Sequence, residues 1–316
     1  MKQIIFIISA AIITIITASA FKRADQKIDA VALGKQLFFD KILSNKQSIS
    51  CASCHNPLFA FSDTVAFSLG DNQKPGKRNA PCITNQTERS FFFYDGRAQT
   101  LEEQALFPIA DPLEMNLPVT IAVERLQASA VYKELFLQVF NELPNSENLG
   151  KALAAYERTL ETINSAWDRY AKGDKKAVNN AVLRGRKLFN TKGKCFDCHS
   201  GTDFTNDEFR NIGLYNGYEL NDKGRADFTK KNEDVGKFKV PGLRNVGVTG
   251  PYMHNGMFKT LKEVLAYYNN PTNIVMGSIN TDSLLIEPLN LSSSELEDLE
   301  AFLMALTDEQ FLQVSK

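Results

Sequence analysis

Two short segments of the same pattern constrain this chain more than any other feature of its sequence. Each reads Cys-x-x-Cys-His, and the residues concerned are Cys51, Cys54 and His55 in the first copy and Cys195, Cys198 and His199 in the second. Two cysteines three apart on one helical turn can each form a thioether bond to a vinyl group of haem, and the following histidine is then held under the iron. The pattern therefore predicts two covalently bound haem c groups.

Two other uses of these cysteines are less consistent with the spacing. A zinc site would need side chains from the two distant copies to converge. A thioredoxin-type dithiol would follow a β-strand and would not need a histidine at the next position in both copies. The fifth cysteine, Cys82, stands alone, and we interpret it as a small buried apolar residue.

The sequence before each motif is repeated as well. Residues 33–38 read LGKQLF, and residues 184–189 read RGRKLF. Each segment fits a short helix that carries its Leu-Phe pair on the inner face, followed by a polar loop and the cysteine motif. Repetition of this whole unit predicts two similar domains.

The rest of the chain is also helical in pattern. Apolar residues from Leu153 to Tyr170 recur at spacings of three and four, which predicts one amphipathic helix with Trp167 packed on its apolar stripe. The polar segment 171–176 ends this helix and marks the predicted domain boundary. No segment alternates as a strand would, so the sequence predicts an all-α protein with long loops at 56–100 and 200–255.

A further helix is predicted close to the end of the chain. Ser292 and Glu295 have the spacing of a capping box. The apolar residues that follow share one face, namely Leu296, Leu299, Phe302, Leu303 and Leu306.

The first 20 residues have the features of a secretory signal peptide. They contain one lysine, an apolar stretch and an Ala-Ser-Ala sequence that ends at Ala20, where cleavage is predicted. An uncleaved anchor helix is the alternative, although the apolar stretch is short for a membrane span. We expect export to a bacterial periplasm, with an N-terminal domain at 21–173 and a C-terminal domain at 174–316. The formal net charge of -1 indicates no general attraction to nucleic acid.

The histidine count limits what can occupy the other face of each iron. The chain has 3 histidines; two are the proximal ligands and the third is His254. No histidine lies between His55 and His199, so the loop after the first motif cannot cap its haem with imidazole. An electron carrier generally has both axial positions filled, whereas an open position can bind peroxide.

Residues 94–115 contain side chains suited to peroxide chemistry. Cleavage of an O–O bond needs a group that takes a proton from the near oxygen and delivers one to the leaving oxygen. A carboxylate can do this, and an amide can orient the substrate. The candidates in this segment are Glu114 and Gln104, and spacing alone leaves Glu102, Glu103 and Asp111 open as well.

Several further motifs together resemble the bacterial di-haem cytochrome c peroxidases, a family that includes the MauG branch, which oxidises tryptophans of a partner protein. The resemblance runs from about residue 30 to about residue 310. It is carried by the two cysteine motifs, Gly76-Lys77-Arg78-Asn79-Ala80-Pro81, Asp95-Gly96-Arg97-Ala98, Gln104 with Pro108, Glu114-Met115, and Pro251-Tyr252-Met253-His254-Asn255-Gly256.

The resemblance implies two cytochrome-c-like α domains with a calcium ion near their interface. The haem on His55 would be the peroxidatic one, with Glu114 as catalytic acid and base and Gln104 beside it. The haem on His199 would receive electrons from a small cytochrome c or cupredoxin. Asn79, together with the backbone carbonyls of Thr249 and Pro251, would bind the calcium, since oxygen ligands suit a hard cation.

Two departures from the family pattern concern the first haem. Typical members carry a histidine before GKRNAP that caps this haem in its oxidised state, and residues 61–75 contain none. We therefore expect a peroxidatic haem that is open without prior reduction. Typical members also have tryptophan between the haems where this chain has Tyr94, which can relay an electron but needs an acceptor for its proton.

The third departure concerns the second haem. The family's peroxidases have a methionine fourteen residues after the histidine of the Pro-Tyr-x-His motif, and here that position is Tyr268, as in the MauG branch. A phenolate ligand would lower the haem potential relative to a thioether. Met276 is the rival ligand, and the match gives His254 a supporting role near this haem rather than a ligand role.

Three functions therefore remain in competition. The leading hypothesis is a peroxidase that reduces hydrogen peroxide. A MauG-like oxidase of a protein substrate is favoured by Tyr268 and disfavoured by Tyr94, and a di-haem electron carrier without catalysis is the third. Members of the family often form homodimers, which no feature of this sequence indicates.

Overall fold

The computed structural model of the protein describes residues 28–312, so the predicted signal peptide and its cleavage after Ala20 lie outside the described residues. Regular structure in this span is almost entirely helical, as predicted. The earlier helices are α1 (Ala30–Phe39), α2 (Leu101–Gln104), α3 (Phe107–Ala110), α4 (Val119–Ala128), α5 (Ala130–Phe140) and α6 (Ser146–Glu157). The later ones are α7 (Ala166–Ala171), α8 (Asn180–Asn190), α9 (Ala226–Thr229), α10 (Leu261–Asn269) and α11 (Ser293–Met304).

One short strand pair interrupts the second long loop. Strands β1 (Phe209–Arg210) and β2 (Phe238–Lys239) are antiparallel, with Phe209 opposite Lys239. The Lys239 amide also donates a hydrogen bond to the carbonyl oxygen of Tyr94 at 2.7 Å. This strand pair therefore connects the loop to an earlier part of the chain. None of the helices between residues 28 and 312 has the length and apolar character needed to cross a bilayer.

The first helix pair, α1 and α6, crosses at Gly34. A Cβ atom at this position would lie 1.8 Å from the carbonyl oxygen of Ala152, so only glycine allows the two backbones to approach this closely. Leu37 and Phe38 are 0% and 1% exposed and pack in a core that extends from Leu33 to Tyr156, which we call the first core. The predicted inner-face Leu-Phe pair is confirmed here.

The second helix pair, α8 and α11, repeats this arrangement. A Cβ atom at Gly185 would lie 1.9 Å from the carbonyl oxygen of Asp298. Phe189 is 1% exposed and packs with Phe302 in a core that extends from Val182 to Leu306, the second core. The repeated sequence therefore corresponds to a repeated helix crossing.

The helix predicted close to the end of the chain is α11. Its capping box is present: Glu295 Oε2 accepts a hydrogen bond from the Ser292 amide at 2.8 Å, and Ser292 Oγ accepts one from the Glu295 amide at 3.3 Å. The predicted apolar face lies in or against the second core. Both predictions for this helix are confirmed.

The single helix predicted from Leu153 to Tyr170 is wrong. Helix α6 ends at Glu157 and α7 begins at Ala166, and Ile163 between them is 57% exposed. The break occurs because residues 158–165 bind elsewhere: the Leu160 carbonyl accepts a hydrogen bond from the Asn85 amide at 2.9 Å. The packing role predicted for Trp167 holds, since its ring meets Phe302 edge-to-face at 5.2 Å.

A buried polar cluster joins segments from both parts of the chain. Asn245 is 0% exposed, and its amide nitrogen donates to Thr84 Oγ1 at 3.1 Å and to Thr162 Oγ1 at 3.0 Å. Its amide oxygen accepts from the backbone of Asp308 at 3.0 Å. A buried side chain with all these partners specifies one arrangement of the segments it connects.

Replacing Gly34 with alanine should destabilise the protein. The added methyl group would overlap the Ala152 carbonyl, and overpacking of this kind costs about 1–3 kcal/mol in unfolding free energy. Guanidinium unfolding followed by circular dichroism measures the change. Gly76→Ala is the matched control, because its Cβ would lie 3.7 Å from the nearest atom. Equal stabilities of both variants and the parent would contradict the steric argument.

Candidate functional site

One large cavity contains both cysteine-histidine motifs. Its volume is 1070 Å³, slightly above the range of about 300–1,000 Å³ that small-molecule sites occupy. Many of its lining residues are apolar. Among them are Phe92, Phe93, Phe107, Phe189, Phe238, Val264, Leu265 and Leu303. The cavity therefore suits bulky groups that are largely apolar.

Each motif forms a single tight turn. The first turn spans Cys51–Ser53 and the second Cys195–Asp197. The His55 amide donates to the Cys51 carbonyl at 2.9 Å, and the His199 amide donates to the Cys195 carbonyl at 2.8 Å. Both cysteines and the histidine of each motif are thus held on one turn, as the haem-attachment interpretation requires.

The thiols do not have the properties of a redox dithiol. All five cysteines are free, and burial raises the pKa of Cys54 to about 11 and that of Cys195 to about 12. A reactive dithiol has a lowered thiol pKa. Among residues 28–312, no three histidine, cysteine or acidic side chains converge to hold a metal ion, so zinc has no such cluster in the described part of the chain.

The two imidazoles are oriented in the same way. His55 Nδ1 lies 3.1 Å from the carbonyl oxygen of Phe61, and His199 Nδ1 lies 3.0 Å from that of Phe204. A carbonyl oxygen only accepts hydrogen bonds, so Nδ1 carries the proton in both rings. Burial lowers the pKa of both imidazoles, which keeps them neutral. Nε2 is therefore the free ligand atom, as in metal-bound histidines whose other nitrogen is held by a carbonyl.

Glu114 is the acidic side chain that fits proton transfer at the first motif. It lines the cavity together with Gln104 and His55. Burial, followed by the nearby Asp111 carboxylate, raises the pKa of Glu114 to about 7, while the charge of Arg97 acts in the opposite direction. A carboxyl group with this pKa is present in both protonation states at neutral pH, which suits an acid-base catalyst.

The loop that carries Glu114 is held by close backbone contacts. The Glu114 carbonyl accepts a hydrogen bond from the Asp71 amide at 2.7 Å. A Cβ atom on the preceding Gly70 would lie 2.0 Å from the Leu113 carbonyl oxygen. These contacts keep the loop between α3 and α4 against the cavity.

The other carboxylates that the sequence left open have different surroundings. Glu102 forms a two-point ion pair with Arg158, at 2.7 and 2.9 Å. Glu103 is exposed and accepts a hydrogen bond from the Gln99 amide at 3.0 Å. Asp111 also lines the cavity, but its Oδ1 accepts a hydrogen bond from the Leu113 amide at 2.8 Å.

Tyr94 lines the same cavity as both motifs. Burial raises the pKa of its phenol, and the positive charge of Arg78 opposes this effect. Its backbone carbonyl is bound by Lys239 of β2. Tyr94 is therefore a half-buried, neutral phenol whose backbone is bound by a strand from the second half of the chain.

Tyr268 and Met276, the rival ligands, occupy contrasting places. Tyr268 lines the cavity. The pKa of its phenol is raised mainly by burial, and to a smaller extent by Tyr267 and by the thiols of Cys198 and Cys195. The Met276 side chain is 82% exposed. The tyrosine is therefore close to the second motif, whereas the methionine faces solvent.

His254 is stacked rather than directed at a motif. Its ring lies parallel to Phe238 with 3.8 Å between the ring centroids, and burial lowers its pKa to about 4. Its carbonyl accepts a hydrogen bond from the Asn79 amide at 2.7 Å. The residue thus connects the GKRNAP loop to the Pro-Tyr-x-His segment.

The three predicted calcium ligands all line the cavity. The Asn79 amide nitrogen donates to the carbonyls of Val65 and Ala66, at 3.1 and 3.3 Å, which leaves its oxygen uncommitted. Among residues 28–312, no backbone amide donates to the carbonyls of Thr249 or Pro251. These oxygens fit a hard cation, and the set contains no carboxylate, which limits its affinity.

An arginine network was not predicted from the sequence. Arg78 forms a two-point ion pair with Asp222, at 2.7 and 2.8 Å, and a third bond to Asp95 at 2.6 Å. Arg244 joins Asp203 at 2.7 Å to Asp168 at 2.9 Å. Arg78 and Asp95 lie in two of the family-like motifs, but Asp222 is 144 residues from Arg78, too far for any spacing rule to identify.

The helix crossings, the two cysteine turns and the oriented imidazoles define a protein that carries two c-type haems. Glu114 lines the same cavity as both motifs. The comparisons with known proteins identify the family more closely. A sequence model described as di-haem cytochrome c peroxidase matches residues 28–176.

Individual relatives extend the match over most of the chain. The methylamine utilization protein MauG of Methylorubrum extorquens is 40% identical over 287 residues, which cover 89% of this chain and 79% of the relative. The cytochrome c551 peroxidase of Nitrosomonas europaea is 35% identical over 90% of this chain and 82% of the relative. The protein belongs to the di-haem cytochrome c peroxidase family.

Solved structures agree with this assignment. A MauG-like protein associated with microbial copper homeostasis superposes with a TM-score of 0.80 at 30% identity, covering 89% of this chain and 92% of the other. The di-haem peroxidase BthA from Burkholderia thailandensis has a TM-score of 0.80 at 25% identity, with coverages of 90% and 87%.

Tyr268→Phe should change the absorption and electron paramagnetic resonance spectra of the second haem, because it removes the oxygen that lies close to Cys195 and Cys198. Met276→Leu is the matched control and should leave both spectra unchanged, since Met276 is exposed. Spectra of the oxidised holoprotein variants measure this. A spectral change in Met276→Leu alone would assign the ligand to the methionine instead.

Proposed function

We propose that the protein is a periplasmic di-haem peroxidase that reduces hydrogen peroxide to water with electrons from a small cytochrome c or cupredoxin. The observation that carries this proposal is Glu114, a half-buried carboxyl group with a pKa of about 7 in the same cavity as His55. The absence of a histidine between His55 and His199 supports an open position on the first haem.

Two side chains have separate roles in cleavage of the O–O bond. The haem on His55 would supply an iron at which peroxide binds. Glu114 accepts the proton of the near oxygen and delivers it to the leaving oxygen, while the Gln104 amide orients the substrate. The overall reaction consumes one peroxide, two protons and two electrons and forms two waters. Burial of Glu114 keeps its proton affinity close to that needed for both transfers.

Electrons would enter at the second motif. In this proposal residues 174–316 form the electron-transfer domain, with His199 and Tyr268 as the haem ligands, and residues 21–173 form the peroxidatic domain. Tyr94 would relay electrons between them. Its position in the shared cavity and its hydrogen bond to β2 support that role.

A calcium ion held by Asn79, Thr249 and Pro251 would complete the interface between these domains. The backbone amide of Asn79 also donates a hydrogen bond to the carbonyl oxygen of His254. Calcium would thus stabilise the junction between the loop that follows the first motif and the Pro-Tyr-x-His segment.

Oxidation of a protein substrate is the second candidate function. It is supported by the 40% identity to MauG and by the cavity position of Tyr268, and Tyr94 argues against it because the MauG branch has tryptophan there. Peroxide turnover with a reduced small cytochrome c would favour the peroxidase. Peroxide-dependent oxidation of tryptophan in a partner protein, without such turnover, would favour the alternative.

Glu114→Gln should slow the reaction with peroxide by about 10²–10⁴-fold, the range for loss of a positioned acid-base group. In the parent the rate constant should rise as the pH increases through about 7, because only the ionised carboxylate accepts the peroxide proton. The variant should lose this pH dependence. Stopped-flow absorption spectroscopy of the holoprotein measures both effects.

The control for this experiment is Glu103→Gln, which removes an exposed carboxylate from the same segment. It should retain the parent rate and pH profile. If Glu114→Gln reacts at the parent rate, the carboxyl group is not the proton-transfer group. If neither protein reacts with peroxide, a carrier without catalysis becomes the better hypothesis.

The oxidised protein should react with peroxide immediately, without prior reduction. The physical reason is that the segment before GKRNAP has no imidazole to occupy the first iron. Mixing fully oxidised and half-reduced protein with peroxide, and comparing the rate constants, measures this. A requirement for one-electron reduction before any reaction would show that another side chain closes the site.

A further inference from the structure

Glu157, the last residue of α6, places a carboxyl group at the first haem site that the peroxide chemistry does not use. Its side chain is 6% exposed and lines the cavity. The pKa of the Cys51 thiol is raised first by burial and second by the charge of Glu157. The carboxyl group therefore lies close to that thiol. The acidic side chain that acts on the His55 ring is a different one, Asp63.

The internal repeat shows that packing does not require a carboxyl group at this position. Gly34 faces Ala152 and Tyr156, and Gly185 faces Asp298 and Phe302 in the same geometry. Matching Ala152 to Asp298 and Tyr156 to Phe302 makes Glu157 equivalent to Leu303, the next residue in each helix. Leu303 is 7% exposed, lines the cavity and packs with Cys195. An apolar residue therefore fills the equivalent position at the second motif.

The Glu157 carboxyl group has no partner among residues 28–312. Burial raises the pKa of this carboxyl group to about 8. The positive charge of Arg158 lowers the pKa and the negative charge of Glu102 raises it further, and no hydrogen bond contributes. Arg158 is itself committed to Glu102 on α2. Tyr156 is the neighbouring phenol on α6. Burial is the larger cause of its raised pKa, and the charge of Glu157 is the smaller one. Glu114, which lines the same cavity, is the other carboxyl group whose charge raises the pKa of Cys51.

We propose that Glu157 couples proton uptake to reduction of the haem bound at Cys51 and His55. When one electron enters the iron, one proton from solvent binds to the Glu157 carboxylate, and oxidation releases that proton. The net charge at the site is then unchanged in either direction. This role depends on haem attachment at Cys51 and not on which substrate the enzyme oxidises or reduces.

The sign of the effect follows from Coulomb's law in a cavity of low polarity. An ionised Glu157 stabilises the more positive, oxidised iron and lowers the reduction potential. A protonated Glu157 has no such effect. The potential of the first haem should therefore fall as the pH rises through the range in which Glu157 ionises. The second haem, with Leu303 in the equivalent place, lacks this contribution.

Redox titration of the holoprotein at several pH values, followed by electron paramagnetic resonance to distinguish the two irons, tests the proposal. The Glu114→Gln variant is used as the parent protein for this experiment. Any remaining pH dependence of the first haem's potential then does not come from Glu114. In this parent the first potential should fall by up to 59 mV for each tenfold decrease in proton concentration. Adding Glu157→Gln should abolish this slope and hold the potential at its low-pH value.

Glu161→Gln is the matched control, because it removes an exposed carboxylate four residues further along the chain; it should keep the parent slope. A slope that persists in Glu157→Gln would overturn the proposal. If that variant fails to bind haem, redox-difference infrared spectroscopy of the Glu114→Gln holoprotein, in which Glu157 is intact, decides the matter. Reduction should produce the band of a protonated glutamic acid that shifts with isotopically labelled glutamate, and its absence would refute the coupling. Peroxide is not used, so this result is independent of the peroxidase assignment.

Discussion

The backbone contact at Gly34, repeated at Gly185, is the constraint on which the arrangement of the cavity depends. In each case the helix that precedes a cysteine turn carries the glycine. The backbone of a second helix passes within van der Waals distance of that glycine. Any larger residue would move the partner helix outward and change the distance between Cys51 and the end of α6. Interiors are packed too densely to absorb such a shift without loss of stability. The same crossing therefore determines both the stability of the core and the place of Glu157 in the cavity.

The apolar cavity also determines the acid-base properties of its few polar groups. Burial is the main cause of the raised pKa values of both Glu114 and Glu157, because a carboxylate loses its hydration there. The same cause keeps His55 and His199 neutral, which is the form that binds iron. Where a charge is needed for structure, as at Arg78, it is paired with two carboxylates. The carboxyl groups with raised pKa values are therefore distinct from the paired charges that hold the loops in place.

The parts of the chain are joined by polar contacts rather than by a continuous apolar core. Asn245 binds Thr84 and Thr162, and Arg78 binds Asp222. These contacts come from loops that surround the shared cavity, as do Tyr94 and the candidate calcium ligands. Buried polar contacts of this kind are costly unless every group is satisfied. They therefore favour a single relative position of the loops, which electron transfer across the cavity would require.

The sequence alone determined the features that depend on local spacing. The two Cys-x-x-Cys-His turns, the helices that precede them and the capping box at Ser292 follow from residues a few positions apart, and the structure confirms them. Only the tertiary structure decided what depends on distant residues. It ended α6 at Glu157, because Asn85 binds the Leu160 carbonyl, and it distinguished Glu114 from Glu102 by giving Glu102 an arginine partner. It also placed Tyr268 in the cavity and Met276 in solvent. A side chain's burial and its partners arise from segments far apart in the chain, and no local pattern encodes them.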